Sequence, residues 1–379
     1  MVAKDTYKYA YIDAIRGLAI ILVVLVHASQ SVKPSSSLIT WLMNEGARGV
    51  QLFYIASAIT LCMSWAARKS DECNPIRNFY IRRFFRIAPM FYVAIAGFIY
   101  LNGTLPTYWA PNGIQWWFVP ITALFLHGFY PETINSVVPG GWSVAVEMTF
   151  YFIFPALMCV RRFSGLALIL ILCLCLQQFN GWIFLHVFDY GENQKYLVTD
   201  VFSFYNFISQ VPVFIIGIMA YLFISQHKAL EKRYVVLGGA AFAILLAEFW
   251  YQSQSLISHH VIAGCLFALF TIFLAYNPAK VLVNRVTVLL GKLSFSMYLI
   301  HIAALKVIGM LGLTALFGEG NKESVLFFLV VLTISAGISW VTYHLIEKPG
   351  ISLGRKLIDR LEEGRDSVNL KPLPTDVVK

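Results

Sequence analysis

Arg16 and His27 stand eleven residues apart in an apolar run that follows Asp13. At 100° per residue, eleven steps come within about 20° of a whole number of turns. On a helix the two side chains therefore share a face, about 16 Å apart along the axis. Asp13, three residues before Arg16, is placed to pair with it. A second run carries Ser294, Tyr298 and His301 at spacings of four and three, again one helical face, and a third carries Glu147 five residues after Trp142. An imidazole titrates near neutral pH and can take a hydroxyl proton or accept an acyl group, and a nearby carboxylate can orient it or stabilise its charged form. A fourth group, Arg77, Arg82, Arg83 and Arg86, is of the type that binds phosphate in a bidentate fashion, with Arg83 and Arg86 facing the same way on a helix. Each group also has a structural reading. Arginines in such a run anchor proteins to anionic lipid, and a lone histidine in an apolar helix makes packing hydrogen bonds.

The elements that must hold these residues follow from composition. Of 379 residues, 58% are apolar, 15% aromatic and only 13% charged, with mean hydropathy +0.69. A soluble domain carries roughly 25% charged residues, so the solvent for this chain is lipid, and ordinary cytosolic enzymes, disordered chains and small disulfide scaffolds are excluded. Cys62, Cys73, Cys159, Cys173, Cys175 and Cys265 show no metal-ligand spacing, and no metal is expected. The expected fold is all-α and polytopic, with about ten transmembrane helices over 17–34, 50–66, 87–103, 142–160, 163–178, 201–225, 234–250, 260–276, 286–308 and 324–346. A short apolar stretch, 114–127, flanked by Pro106, Pro111, Pro120 and Pro131, is expected to be re-entrant or interfacial.

Charge decides the orientation. Ten spans leave 23 of the 29 Lys and Arg residues on one side, including Lys4, Lys8, Arg161 and Arg162. By the positive-inside rule both termini are then cytoplasmic. If 114–127 crossed fully, every later loop would change sides and the bias would be spoiled. Topology thus accounts for the net charge of +9, and nucleic acid is not an expected partner. The first span, with Lys4 and Lys8 before Leu18–Val26, is expected to stay as an uncleaved helix rather than act as a signal peptide. Residues 1–350 are expected to form the transmembrane domain, and 351–379 a cytoplasmic tail with a short amphipathic helix, disordered after Pro372 and dispensable from Leu357 onward.

With these spans, His27, Glu147 and His301 lie about 8–10 Å below the outer ends of three different helices. Ionisable groups cost a few kcal/mol each at such depths, so a shared site is a better account than three separate packing accidents. Arg16 sits at the cytoplasmic edge of the same helix face as His27. Trp109, Trp116, Trp117 and Trp182 lie in the outer loops, where they would stack on sugar rings or act as interfacial anchors.

At these residues the chain resembles the acyltransferase 3 family of integral membrane acyltransferases, from Tyr11 to Pro349. The pieces are Tyr11-Ile-Asp-Ala-Ile-Arg16 with ten residues between Arg16 and His27; Gly49-Val50-Gln51-Leu52-Phe53-Tyr54 followed by Ser57; Tyr80-Ile-Arg82-Arg83-Phe-Phe-Arg86-Ile-Ala-Pro89; Trp142-Ser143-Val-Ala-Val-Glu147-Met-Thr-Phe-Tyr151; Gly291-Lys-Leu-Ser294-Phe-Ser296-Met-Tyr298-Leu-Ile-His301; and Glu347-Lys348-Pro349. Many members have Asp where this chain has Gln51, and Ser-Gly-Phe where it has Ser57-Ala58-Ile59. About 33 residues follow the last span, so the extracellular esterase-like domain fused to some members is expected to be absent. The resemblance implies transfer of an acyl group, usually acetyl, from cytoplasmic acyl-CoA to a sugar hydroxyl on a cell-envelope or secreted polysaccharide, in a bacterial cytoplasmic (inner) membrane. It assigns His27, Glu147 and Arg16 to catalysis, Arg82, Arg83 and Arg86 to the coenzyme, and Gln51, Trp142, Ser143, Tyr298 and His301 to the acceptor. Direct transfer and an acyl-imidazole intermediate on His27 both fit the residues. A proton-coupled secondary transporter would also use buried His and Glu, but no inverted repeat of broken helices is visible.

Overall fold

The computed structural model describes residues 10–369 except 161, 228 and 252–256, with backbone only for 251 and 364–369. Lys4, Lys8 and Arg161, which entered the charge argument, lie outside the described residues, as does the tail beyond Pro372. Apart from one isolated bridge between Thr107 and Ala110, all regular structure among the described residues is helical. In chain order the helices are α1 (Ala10–Ser31), α2 (Ser37–Asn44), α3 (Gly49–Arg68), α4 (Pro75–Asn102), α5 (Phe118–Ala123), α6 (Trp142–Leu157), α7 (Phe163–Val187), α8 (Phe207–Gln226), α9 (Lys232–Tyr251), α10 (His259–Tyr276), α11 (Arg285–Met310), α12 (Asn321–Thr342) and α13 (Lys348–Asn369). A short 3-10 turn, Glu45–Arg48, joins α2 to α3. Among the described residues nine helical stretches are long and apolar enough to cross a membrane, and α6 is a shorter apolar helix of 16 residues. These correspond one for one to the ten expected spans.

Local chemistry sets the helix ends that matter for the site. The Asn74 side chain accepts from the Arg77 N–H, and Pro75 occupies the first turn, so α4 starts well before the expected residue 87 and carries all four arginines on helix. Asn284 and Thr287 form a reciprocal capping box at the start of α11. Pro89, Pro155 and Pro212 lie inside helices, as apolar surroundings tolerate when neighbouring helices satisfy the freed carbonyls.

The core is built around α1. On one side, Gly17 faces the Thr287 carbonyl and Gly291 faces the Asp13 carbonyl, at distances that leave no room for a β-carbon. On the other side, Gly46 lies against the Leu22 carbonyl, and a β-carbon on Gly49 would come within 2.6 Å of the Ala19 oxygen. Small residues let backbones approach closely where lipid supplies no hydrophobic drive between helices. Ten residues beyond the Gly17–Gly291 crossing, along both helices, His27 meets His301, so α1 and α11 run parallel. Eight apolar helices precede α11 (α1, α3, α4, α6, α7, α8, α9 and α10), and an even number of crossings returns the chain to the same direction. A ninth crossing through 114–127 would make the pair antiparallel. That stretch instead contains the six-residue α5 and a 3-10 turn at His127–Phe129, with Phe118, Thr122, Phe125 and His127 buried.

The expected boundary at 350/351 falls inside a continuous helical run. A π-turn at Tyr343–Glu347 connects α12 directly to α13, and α13 packs along α4. Glu347 is buried and accepts a hydrogen bond from Ser296, which in turn accepts from Thr342 at 3.1 Å.

Candidate active site

Two cavities meet on the inner face of α1. The larger, of about 660 Å³, opens at the end of the bundle that carries the arginines. Its walls include Asp13 and Arg16 from α1, Arg68 from α3, and Arg82, Arg83 and Arg86 from α4. The smaller, of about 70 Å³, is enclosed by α1, α3, α4, α6 and α11 and is lined by Ser57, Glu147, Tyr151, Ser294 and Tyr298 among others. That volume holds roughly two waters. Arg16 and Arg86 line both cavities, so a guanidinium pair stands at the neck between them.

Each side chain is fixed by an identifiable contact. The Arg16 Nη2 donates to Thr60 Oγ1 at 3.3 Å, and among the described residues no ion pair joins it to Asp13, the partner its spacing had suggested. Arg82 pairs with Glu72 at 2.5 Å. Arg83 stacks over the rings of Phe79 and Tyr151, 5.6 and 5.8 Å from the centroids, a favourable site for a cation shielded from water. Arg77 does not join the other three. It bonds to Asn78 and Glu362 and lines neither cavity.

Glu147 occupies a different position from the expected one. Its Oε1 accepts from Ser57 Oγ and from Tyr151 OH, both at 2.5 Å, and it shares a cavity with Arg16 rather than with His27. The expected orientation of His27 by Glu147 is therefore corrected. Rotation of α6 about its axis turns the carboxylate toward α3 and the neck. Tyr151, one helical turn after Glu147, was a readable signal for this pairing.

His27 finds its partner in His301. The imidazole rings are 5.0 Å apart between centroids, with His301 Nε2 at 3.3 Å from His27 Nδ1. His27 Nδ1 also lies 2.8 Å from the Val23 carbonyl, and His301 Nδ1 lies 3.1 Å from that of Met297. A carbonyl only accepts, so in each ring Nδ1 carries the proton and Nε2 the lone pair. The His27 Nδ1–H is shared between Val23 and His301, and its Nε2 is left with an available lone pair. Tyr298, one turn before His301, donates to the Gly140 carbonyl at 2.9 Å and accepts from Ser143 Oγ at 2.8 Å. Gly140 sits at φ 80°, a backbone conformation that costs glycine little and aims its carbonyl at α11. Polar groups thus run from the arginines through Glu147, Ser143 and Tyr298 to the His301–His27 pair.

The remaining expected residues lie around this line. Gln51 is buried and donates to Gln210 at 3.0 Å between α3 and α8; it does not line either cavity. Trp142 is buried against Tyr54, Phe204 and Tyr205 and supports the wall behind Ser143. Ser57, Thr60, Tyr151 and Arg68 were not singled out as site residues from sequence. No group of three or more His, Cys, Asp or Glu that could hold a metal ion occurs among the described residues.

The model of the acyltransferase 3 family, described as an acyltransferase domain, matches residues 9–344. Among curated proteins, the chain is similar to O-acetyltransferase OatA of Staphylococcus aureus, strains NCTC 8325 and COL, at 22% identity over 372 residues, covering 89% of this chain and 56% of each relative. The chain thus spans little more than half the length of these relatives. No solved structure matches it. The match over most of its length places the chain in the acyltransferase 3 family.

Proposed function

We propose that this protein transfers an acyl group, acetyl in the first instance, from acyl-CoA to a hydroxyl of a carbohydrate on the opposite side of a bacterial cytoplasmic membrane. The observation that carries the reading is the shared neck: Arg16 and Arg86 line both the arginine-rich cavity and the small inner cavity. A polyanionic coenzyme held at the first can run its uncharged pantetheine arm to the neck and place its acyl end in the second. Family membership and the name of the relatives, O-acetyltransferase, support the same reading.

The chemistry follows from the side chains. Arg82, Arg83 and Arg86 bind coenzyme phosphates as charge-assisted donors. The thioester carbon then lies among Ser57, Glu147, Tyr151 and Tyr298, shielded from bulk water. The acceptor hydroxyl loses its proton to His27 Nε2 as its oxygen bonds to the acyl carbon; the carbon–sulfur bond breaks and the proton taken up by His27 is returned to the departing thiolate, leaving free coenzyme and a neutral imidazole. His301 holds the His27 Nδ1–H and so keeps the basic nitrogen at Nε2. If the acyl group is first carried on His27, the same nitrogen is the nucleophile. Tyr298 and Ser143 bracket the path between the inner cavity and the histidines.

The test is purified protein in sealed vesicles, with radiolabelled acetyl-CoA outside and the envelope carbohydrate of the source cells inside. Label in the carbohydrate with stoichiometric coenzyme release supports the reading. Proton flux without acyl transfer would instead establish a transporter.

A further inference from the structure

The arginine-rich cavity has a wall that the acyltransferase motifs do not include. Ile351, Arg355, Ile358 and Asp359 of α13 line it. The helix is held there by one ridge of residues four apart. Gly350 and Gly354 lie so close to α4 that a β-carbon would come within 2.8 Å of Pro89 Cγ and 2.7 Å of Phe85 Cβ. Ile358 is buried. Glu362 closes the ridge by accepting from the Cys73 backbone N–H at 2.8 Å, Arg77 Nη2 at 2.9 Å and Asn78 Nδ2 at 3.0 Å. One residue along the helix is a turn of 100°, so pinning 350, 354, 358 and 362 against α4 aims 351, 355 and 359 at the cavity.

Charge shows what this wall is for. The cavity lining holds six arginines, Arg16, Arg68, Arg82, Arg83, Arg86 and Arg355, against three carboxylates, Asp13, Glu72 and Asp359. Glu72 is occupied by Arg82. Such an excess suits a ligand with several phosphate groups, about −1 for each phosphodiester and about −1.5 to −2 for a terminal monoester at neutral pH. Arg16 and Arg86 stand at the neck, where the pantetheine arm must pass. The phosphates that Arg86 does not reach then fall to the residues farther out.

We infer that α13 is the outer wall of the coenzyme site, that Arg355 binds a coenzyme phosphate opposite Arg68 and Arg82, and that Glu362 is the positioning residue that holds Arg355 in place. The inference rests on the acyl-CoA reading above. It also reverses the sequence-based expectation that the chain from Leu357 onward is dispensable, because Glu362 lies in that segment.

The experiment is calorimetric titration of acetyl-CoA into the purified full chain and its variants. Arg355→Ala weakens binding by about tenfold, the size of one charge-assisted contact. Glu362→Ala weakens it by a similar factor, and the loss in turnover falls on KM for the coenzyme rather than on kcat. Glu362→Gln, which keeps an acceptor for Cys73 and Asn78, recovers part of the affinity. Because Glu362 acts through Arg355, the double variant binds no more weakly than the worse single one. Parental affinity in both single variants, or factors that multiply in the double variant, would overturn the inference. Failure of the parent itself to bind acetyl-CoA would remove the acyl-CoA reading, and this inference with it. Parental chromatographic behaviour of each variant in detergent separates these outcomes from misfolding.

Discussion

Gly291→Ala tests whether close packing of α1 on α11 is what sets the histidine pair. The added methyl would fall within contact distance of the Asp13 carbonyl, a backbone atom that cannot swing aside. An ordinary contact begins near 3.4 Å, so the helices must part by on the order of 1 Å at the crossing. Overpacking of this kind costs about 1–3 kcal/mol, and the rigid neighbour puts this case at the upper end. The shift is carried along α11 for ten residues, about 15 Å, to His301, whose Nε2 lies 3.3 Å from His27. A displacement of roughly 1 Å at a reacting group can lower turnover by about a hundredfold. The assay pairs thermal unfolding in detergent with acetyl-CoA turnover. Gly309→Ala is the control on the same helix, since nothing lies within 4 Å of a β-carbon there; it should be neutral, as alanine is the better helix former. Parental stability and turnover in Gly291→Ala would refute the packing argument.

Other expectations are more local. Arg83→Ala and Arg86→Ala should each raise KM for acetyl-CoA about tenfold or more, with the larger effect at Arg86, which lines both cavities; unchanged coenzyme affinity in both would remove them from the coenzyme site. Tyr298→Phe removes the bonds to Gly140 and Ser143 and should lower transfer by about tenfold while costing only about 0.5–1.5 kcal/mol of stability. Full transfer in that variant would limit Tyr298 to packing. Ser296→Ala strips the buried Glu347 of its hydroxyl donor and should cost about 1–3 kcal/mol of stability, visible as a lower thermal midpoint. An unchanged midpoint would show that another group satisfies the carboxylate.

Much of this arrangement was legible in the residues themselves. The period of Arg16 and His27, and the Ser294–Tyr298–His301 face, are properties of single helices, and single helices are what hydrophobic runs reveal. Residues 114–127 could be kept out of the spans by charge alone, and the parallel α1–α11 pair agrees with that. What sequence could not supply was rotation between helices. Glu147 was given a depth from its helix position, yet it faces Ser57 and Tyr151, because depth says nothing about which neighbour a helix face meets. Gln51 fell to the same ambiguity and is bonded to Gln210. Arg355 escaped notice for a different reason. The ridge Gly350, Gly354, Ile358 and Glu362 is visible in the sequence, but its complement on α4, at Phe85 and Pro89, is some 265 residues away, and amphipathic tails are more often read as surface helices.

The central claim is that His27 Nε2 takes the acceptor proton or the acyl group. Its most direct measurement is single-turnover acyl transfer from radiolabelled acetyl-CoA by purified parent and His27→Gln protein, each first shown to be folded and to bind the coenzyme. Glutamine can fill the space and hydrogen-bond, but it cannot act as a base near neutral pH. The account predicts that His27→Gln binds acetyl-CoA with parental affinity and transfers acetyl at least about a hundredfold more slowly. Transfer at near-parental rate would contradict it, leaving His27 as a packing partner of His301 and Glu147 as the group to examine next.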